Sequence, residues 1–494
     1  MAQPCPRCGG DLDRAIGATF ARCPYCSAAV VRADGSFVSS HDRELLPDSP
    51  ADGLVQFDPT LLGETCLELA RAALEADGPV DAVGISDQRG STVVWDRNTG
   101  VPIGPGLGWQ DLRTIGACLA LRGEGVRVGP NQSATKVQWL LDQLEDRSRA
   151  ADLCFGTVDT WVAWTLSGGS VHATDATNAA ITGMQTADAS AWDQRVLDTL
   201  GVPIAMMPAI VDSAGVIGEA RALPGAPPIA ALAGDQQASL VGQGCVRRGD
   251  AKITFGTGGM LDLVLDEAPP RHAARNEHGT FPIVAWRHAS RTTWGCEAVM
   301  LAAGTNVQWL RDDLGLIASS DESHELAASC DDTGGVVFVP APLGLGTPEW
   351  DYGARGALFG LTRGTGRSEI VRAVLEGIAH RGADLVDAAE ADTGTTIPRV
   401  RVDGGMTDNP TFVQALANAT QRPVEISRVR EATALGAALL AGVAVGHHAS
   451  VDALATTSNP RATVDPSGVL DREQWRSAVE RSRRWIPELS GIDF

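Results

Sequence analysis

The feature that most constrains this chain is an apolar run at residues 229–233, which ends at Gly234 and Asp235. A short apolar run bounded by turn residues predicts a buried strand, so Asp235 should stand at the end of a sheet. About twenty residues later, residues 254–259 read Thr-Phe-Gly-Thr-Gly-Gly. Such glycines let backbone N–H groups and a hydroxyl approach phosphate oxygens, while a carboxylate accepts the proton of an attacking alcohol. The two segments together predict a phosphoryl-transfer site, although either one alone is more often an ordinary turn.

The length and charge of the chain limit its class. At 494 residues it is longer than one hydrophobic core usually fills, which predicts two domains of roughly 200 to 250 residues. Its 61 acidic and 40 basic residues give a formal charge of -21, which disfavours nucleic acid and anionic membranes as main partners. The sequence contains no long apolar run and no signal-peptide pattern at its N-terminus. We therefore expect a cytoplasmic protein without a membrane partner.

Four of the ten cysteines form two CxxC pairs separated by fourteen residues, at Cys5, Cys8, Cys23 and Cys26. Two such pairs bring four thiolates to the corners of a tetrahedron, which predicts a closed structural Zn²⁺ site. A redox pair or a chance pattern remains as an alternative. The other six cysteines, Cys66 among them, are scattered singly, and we interpret them as reduced, mostly structural thiols.

Segments typical of strands and helices alternate along the chain, which predicts an α/β architecture. Residues 28–40 predict a hairpin that turns at Asp-Gly, and Asp58 with Pro59 predicts the start of a helix. A proline- and glycine-rich run at residues 223–228 interrupts the alternation. We expect a zinc-ribbon-like segment at residues 1–27, an N-terminal domain at 28–243 and a C-terminal domain at 244–494.

Further motifs follow in order along the chain: Asp87-Gln88-Arg89, Trp109-Gln110-Asp111, Ser133-Ala134-Thr135-Lys136, residues 155–161, residues 357–362, and residues 402–405 with Asn409. Together with residues 234–260, they resemble the FGGY family of carbohydrate kinases, most closely its glycerol kinase branch, over about residues 28–445. The resemblance implies two actin-like (ribonuclease H-like) ATPase domains that close over a cleft. The N-terminal domain would hold the sugar or polyol, and the C-terminal domain the nucleotide.

The resemblance also implies a reaction and its residues. The reaction is ATP-dependent phosphorylation of a terminal hydroxyl of glycerol or a related small polyol or sugar, with Mg²⁺ and with Asp235 as general base. Substrate contacts fall at Arg89, Gly90, Trp109, Asn131, Asp235, Gln236 and Met260. Nucleotide contacts fall at Thr257, Gly258, Gly304, Gln308, Gly405 and Asn409. Dimers and tetramers are common in the family, so a homo-oligomer is expected.

The chain departs from the family at the first phosphate loop. The family opens with Asp-x-Gly-Thr-Thr-Ser, but residues 21–27 of this chain, Ala-Arg-Cys-Pro-Tyr-Cys-Ser, stand at that position. Because preorganised donors and metal supply most of the catalysis in phosphoryl transfer, this loss should cost orders of magnitude in rate. The alternative is therefore a catalytically impaired relative that binds nucleotide or polyol as a sensor or partner protein.

The substrate positions also differ from those of the family's glycerol kinases. Gly90 replaces a glutamate, Asn131 replaces a tyrosine, and Met260 replaces an aromatic residue. The remaining contacts can still orient an alcohol at Asp235, but the replacements leave more room and a different hydrogen-bonding pattern. We therefore predict a substrate other than glycerol or larger than it.

Overall fold

The computed structural model describes residues 26–268, 275–457 and 459–492. The strands, numbered in chain order, are β1 Cys26–Val31, β2 Phe37–Arg43, β3 Gln56–Phe57, β4 Val83–Asp87, β5 Val93–Asp96, β6 Gly106–Leu107, β7 Leu153–Gly156, β8 Ala173–Asp175, β9 Ala209–Val211, β10 Ala214–Glu219, β11 Pro228–Gly234, β12 Ala251–Phe255, β13 Gly259–Val264, β14 Phe281–His288, β15 Arg291–Met300, β16 Val337–Val339, β17 Ala357–Phe359, β18 Val400–Asp403, β19 Val424–Ile426 and β20 Ala462–Val464.

The α-helices are α1 Pro59–Asp77, α2 Ile115–Gly123, α3 Ala134–Asp142, α4 Val158–Ser167, α5 Ala176–Ala180, α6 Gln194–Leu200, α7 Asp235–Gly242, α8 Gly304–Asp312, α9 Glu322–Ala328, α10 Arg367–Thr393, α11 Pro410–Thr420, α12 Ala432–Ala444, α13 Arg472–Ser482 and α14 Pro487–Ser490. Short 3₁₀ helices lie at Arg147–Asp152, Ile204–Met206, Gly405–Asp408 and Val451–Thr456.

One mixed sheet runs through the molecule, in the order β20-β19-β18-β12-β13-β15-β14-β10-β11-β4. The pairs β4 with β11, β12 with β18 and β18 with β19 are parallel, whereas β12, β13, β15 and β14 pair antiparallel in that order. Within the described residues, β4 lies at one end of this sheet and pairs with β11 alone. The predicted α/β architecture is confirmed.

The local predictions for the first described segments are also confirmed. Strands β1 and β2 form an antiparallel hairpin, and Gly35 turns it with a φ of +83°. The side chain of Asp58 caps α1 by accepting hydrogen bonds from the backbone N–H groups of Thr60 and Leu61, and Pro59 is the first helical residue. Both features follow from chemistry that acts over a few residues.

Helix α12 connects the two halves of the chain. It follows β19 in sequence, yet it packs against β4, β10, β11 and α7. Its Leu435, Leu439 and Leu440 share a buried cluster with Ala230 and Leu240 of the N-terminal half. A larger separate core forms between α10, α11 and the strands β12, β13 and β18. Because a C-terminal helix completes an N-terminal core, the division at residues 243 and 244 stays a prediction.

Helices α7 and α12 cross at two glycines. A Cβ added to Gly436 would lie 1.7 Å from the carbonyl oxygen of Ala238, and one added to Gly242 would lie 1.9 Å from that of Ala432. Since real Cβ atoms do not approach an oxygen this closely, both positions require glycine for the observed spacing. The crossing fixes α7, which begins at Asp235, against the second half of the chain.

The longest helix, α10, is a core helix. Its 27 residues include buried Val371, Leu375, Ile378 and Leu385, and also the buried cation Arg381. Of the helices in the described ranges, none has the combination of length and apolarity that crossing a bilayer requires.

Candidate functional site

A cleft of about 2830 Å³ runs between the ends of β4 and β11 on one side and the ends of β12 and β18 on the other. It brings together nearly all of the residues that the sequence singles out, namely Arg89, Trp109, Asn131, Asp235, Gln236, Thr257, Gly258, Met260, Gly304, Gln308, Gly405 and Asn409. Gly90 does not line the cleft. The residues come from segments that are far apart in sequence, so the fold itself assembles the site.

Asp235 stands where β11 ends and α7 begins. Gly234 precedes it in an extended conformation, and Asp235 is the acidic residue of the first helical turn, where the helix dipole favours a negative charge. Its side chain is 37% exposed and faces the cleft. The Oδ1 atom accepts a hydrogen bond of 2.8 Å from the backbone N–H of Gln236. The carboxylate is therefore held by its own helix and is open to a ligand.

Arg89 lies beside Asp235 and is held by Glu297, a residue that the sequence reasoning missed. The Nη2 atom of Arg89 is 2.5 Å from Oε2 of Glu297, and its Nε atom is 3.6 Å from Oδ1 of Asp235. Burial raises the pKa of Glu297, because desolvation outweighs the opposing effect of Arg89. Burial alone would lower the pKa of Arg89. The nearby carboxylates of Glu297 and Asp235 outweigh burial, so the pKa of Arg89 is raised above its ordinary value. Glu297 follows a cysteine in the buried strand β15, and no motif in the sequence indicates its role.

The glycine-rich segment forms the tight turn between β12 and β13. The N–H of Gly256 donates to the carbonyl of Gly258 at 3.0 Å, and Thr257 is exposed at the tip. The first residue of α8, Gly304, donates its N–H to the carbonyl of Gly256 at 2.9 Å. A Cβ at Gly304 would lie 2.7 Å from that oxygen, so glycine permits the close approach. The turn and the start of α8 thus form one rigid wall of the cleft.

The other predicted nucleotide residues lie where β18 meets α11. Gly404 turns the chain with a φ of +91°, and Gly405 follows it, exposed to the cleft. The side chain of Asn409 caps α11 by accepting from the N–H of Phe412 at 3.0 Å, and its Nδ2 donates to Oγ of Ser323 at 2.9 Å. Asn409 therefore has a structural role that the sequence did not predict.

Two of the substrate-side replacements, Gly90 and Asn131, lie against each other. Gly90 has a φ of +75°, and a Cβ there would lie 2.4 Å from the carbonyl oxygen of Asn131. The side chain of Asn131 is exposed, whereas Trp109 and Met260 are half-buried. Since a Cβ at position 90 would clash with this backbone oxygen, the observed path of the chain at Asn131 requires glycine at position 90.

The predicted zinc ligands Cys5, Cys8 and Cys23 lie outside the described residues. Cys26 begins β1, is buried, and has its Sγ atom 3.2 Å from Sγ of Cys66 on α1. Cys66, which the sequence predicted to stand alone, therefore has a thiol neighbour, because β1 packs on α1. Among the described residues, no group of three or more His, Cys, Asp or Glu side chains has a metal-binding arrangement.

Three aspartates are buried at the substrate side of the molecule, namely Asp87, which lines the cleft, and Asp159 and Asp175, which do not. Asn178 donates to Asp87 at 2.8 Å, the hydroxyl of Thr174 donates to Asp159 at 2.8 Å, and that of Ser213 donates to Asp175 at 2.6 Å. Burial raises the pKa of all three, and the neighbouring carboxylate of Asp175 helps to raise that of Asp159 to about 6. The sequence does not reveal this cluster because its members are up to 88 residues apart.

We expect the pKa of Asp159 to make folding stability depend on pH. Its ordinary value is 3.8 and its folded value about 6, so the folded state binds the proton more tightly. The stabilisation from this proton is complete below pH 4 and is lost as the pH rises through 6. The loss in unfolding free energy reaches about 3 kcal/mol, because one unit of pKa difference corresponds to about 1.4 kcal/mol. Urea unfolding between pH 4 and 7 should show a smaller loss in Asp159→Asn than in the native protein, because Asp87 and Asp175 keep their raised pKa values. The exposed Asp198→Asn should behave as the native protein, and equal pH slopes for all three proteins would contradict the assignment.

The chain matches the models of two domains of one family. These are the N-terminal domain of the FGGY family of carbohydrate kinases, over residues 16–242, and its C-terminal domain, over residues 251–445. The chain is 41% identical over 483 residues to a glycerol kinase of Aromatoleum aromaticum, covering 93% of this chain and 97% of that protein. It is 42% identical over 485 residues to a glycerol kinase of Trichlorobacter lovleyi, and this match covers 93% of this chain and 96% of that protein. Its structure resembles that of Plasmodium falciparum glycerol kinase with ADP, with a TM-score of 0.86 and 27% identity, covering 92% and 96%.

Proposed function

This chain belongs to the FGGY family of carbohydrate kinases, and we propose that it transfers a phosphoryl group from ATP to a terminal hydroxyl of glycerol or a related small polyol or sugar. The observation that carries the proposal is the pairing of an exposed carboxylate, Asp235, with the glycine turn at residues 256–258 in one cleft. The relatives are named as kinases, so the alternative of a non-catalytic sensor is not favoured.

On the substrate side, Asp235 accepts the proton of the attacking hydroxyl. Arg89 and Gln236 lie on either side of its carboxylate and present N–H donors to the oxygens of the alcohol. Trp109 offers an apolar face for the carbon chain. This arrangement orients one hydroxyl at the base and leaves the rest of the polyol toward Asn131 and Met260.

On the nucleotide side, the turn at Thr257 and Gly258 presents backbone N–H groups and a hydroxyl to the phosphates. Gly304, Gln308, Gly405 and Asn409 line the remainder of that wall and leave space for the base and ribose. Small residues and an amide suit a nucleotide because they admit a flat ring and can hydrogen-bond its edge.

Mg²⁺ fits the carboxylates that reach the cleft. The ion is usually bound through one or two carboxylates together with substrate phosphates, so it needs no larger protein cluster. Asp403 and Asp235 both line the cleft, and Oδ1 of Asp403 is buried without a hydrogen-bond partner among the described residues. We propose Asp403 as its protein ligand, because Asp235 is already assigned to the proton of the alcohol. When bound, Mg²⁺ would neutralise charge on the transferring phosphates.

We propose that the preferred substrate is larger than glycerol. Asn131 is exposed and Met260 is flexible and half-buried, so both leave space beyond the hydroxyl at Asp235. In an assay of ADP release with ATP and Mg²⁺, four- and five-carbon polyols should show a higher kcat/KM than glycerol. The double variant Asn131→Tyr/Met260→Phe should shift that ratio toward glycerol by about 10-fold or more, since one methylene in a pocket is worth that much.

The same ADP-release assay, run with glycerol and with longer polyols and sugars, tests the function itself. Release of ADP that depends on a polyol supports the kinase, and absence of release with every polyol and sugar would overturn it. Equal or better turnover of glycerol than of the longer polyols would contradict only the size preference.

Three finer properties belong to the proposal as well. We propose a cytoplasmic location and a dimer or tetramer, because family membership favours both. We also propose that a structural Zn²⁺ is bound by Cys5, Cys8, Cys23 and Cys26, on the spacing of the two CxxC pairs. Metal analysis of the purified protein, before and after substitution of Cys5 and Cys8 by serine, tests the zinc site.

A further inference from the structure

A fully buried ion pair lies directly beneath the substrate side of the cleft. Lys252 on β12 and Asp262 on β13 are opposite each other in the antiparallel ladder, and Nζ lies 2.8 Å from Oδ2. Both side chains are 0% exposed. Burying two charges is costly, and a pair of well-packed apolar residues would often serve stability as well or better. The pair therefore calls for a role other than stability.

The hydrogen bonds that Lys252 donates point to that role. Its ammonium group donates to Oε1 of Gln236 at 2.6 Å and to Oγ1 of Thr254 at 2.9 Å. An ammonium group has donors and no acceptor, so only the oxygen of Gln236 can face it. The amide of Gln236 is thereby held in one of its two orientations, with Nε2 3.5 Å from Oδ2 of Asp235.

We propose that Lys252 is a positioning residue that keeps the amino group of Gln236, and not its oxygen, turned toward Asp235 and the bound alcohol. Asp262 neutralises Lys252 so that its charge can stay buried. Without Lys252 the amide can rotate by half a turn, which would bring a carbonyl oxygen against the carboxylate of Asp235 and remove a donor from the substrate. The inference rests on the proposed function, in which Asp235 is the base.

A purely structural role for the pair predicts different behaviour. If Lys252 and Asp262 only join β12 to β13, their loss should lower stability without acting through Gln236. If Lys252 acts through Gln236, removing Lys252 should matter only while Gln236 is present. A double-mutant cycle separates the two roles, because coupled residues give non-additive effects and independent ones give additive effects.

The experiment compares the native protein, Lys252→Met/Asp262→Asn, Gln236→Ala and the combined triple variant. Removing both charges together avoids leaving one buried and unpaired. We expect the charge-free variant to lose about 10-fold or more in polyol kcat/KM, with ATP affinity unchanged within about twofold. In the Gln236→Ala background the same substitutions should cost less than about twofold. Arg248→Met/Asp266→Asn removes a half-exposed ion pair of the same kind and should leave all constants unchanged.

Additive losses in the cycle, or an equal loss of ATP and polyol affinity, would overturn the positioning role. Polyol affinity measured by calorimetry gives the same cycle without turnover, so it tests the inference even if the proposed phosphoryl transfer is absent. Should the native protein neither bind nor turn over any polyol, the proposed function and the positioning role would both be wrong. If Lys252→Met/Asp262→Asn fails to fold, Gln236→Glu keeps the ion pair and should still lose about 10-fold, because a carboxylate offers Asp235 no donor.

Discussion

Replacement of Asp235 by asparagine is expected to lower the kcat of polyol-dependent ADP release by about 10²- to 10⁴-fold, the usual contribution of a positioned general base. The substitution keeps the size of the side chain and its place at the start of α7, but it removes the basic oxygen. Because the proposed nucleotide residues lie on the opposite wall, ATP affinity should not change. Steady-state kinetics and calorimetric titration with ATP measure the two quantities.

The matched control for this prediction is Asp198→Asn, an exposed aspartate on α6 far from the cleft. It should retain native kinetics. Retention of ADP release by Asp235→Asn would remove Asp235 from the role of base, whereas loss of ATP affinity together with rate would indicate that α7 had moved.

Substitution of Gly436 by alanine is expected to damage both stability and activity. The added Cβ would lie 1.7 Å from the carbonyl oxygen of Ala238, so α12 and α7 must separate. Overpacking of this kind usually costs about 1–3 kcal/mol of unfolding free energy. Because Asp235 is the first residue of α7, a displacement of about 1 Å at this proposed base should also lower kcat by roughly 10²-fold. Urea unfolding and the ADP assay measure the two effects.

Gly116→Ala provides the control for this second prediction. Gly116 lies in α2, and a Cβ there would meet no atom within 4 Å. Alanine is the better helix former by about 1 kcal/mol, so this variant should be as stable as the native protein or slightly more stable. Equal behaviour of the two variants would contradict close contact at the crossing.

The parts of the fold and site that sequence predicts are those set by chemistry over a few residues. Asp58 and Pro59 predict the start of α1, and Asp-Gly predicts the turn of the first hairpin. The apolar run before Asp235 predicts a buried strand that ends at this residue. The glycines at positions 256 and 258 predict a turn. In each case the physical cause lies within a single segment, so the sequence alone contains it.

The parts that sequence could not predict depend on contacts between distant segments. Glu297 is 208 residues from Arg89, and nothing in its own strand indicates the pairing. Lys252 and Asp262 look like ordinary charged residues of a hairpin until the fold buries both. The neighbour of Cys26 is Cys66, 40 residues away, because a strand packs on a helix. These features come from tertiary packing, which no local pattern encodes.

The return of α12 to the first half of the molecule has a consequence for the order of events during synthesis. Residues 230–241 leave the ribosome roughly 190 residues before α12, which must cover their apolar side chains. At about 5–20 residues per second, that interval is about 10–40 s. During it, the helix that carries Asp235 has an uncovered apolar face, and chaperones that bind such faces would meet this chain at that stage. Helix α7 is thus covered only after α12 has been synthesised.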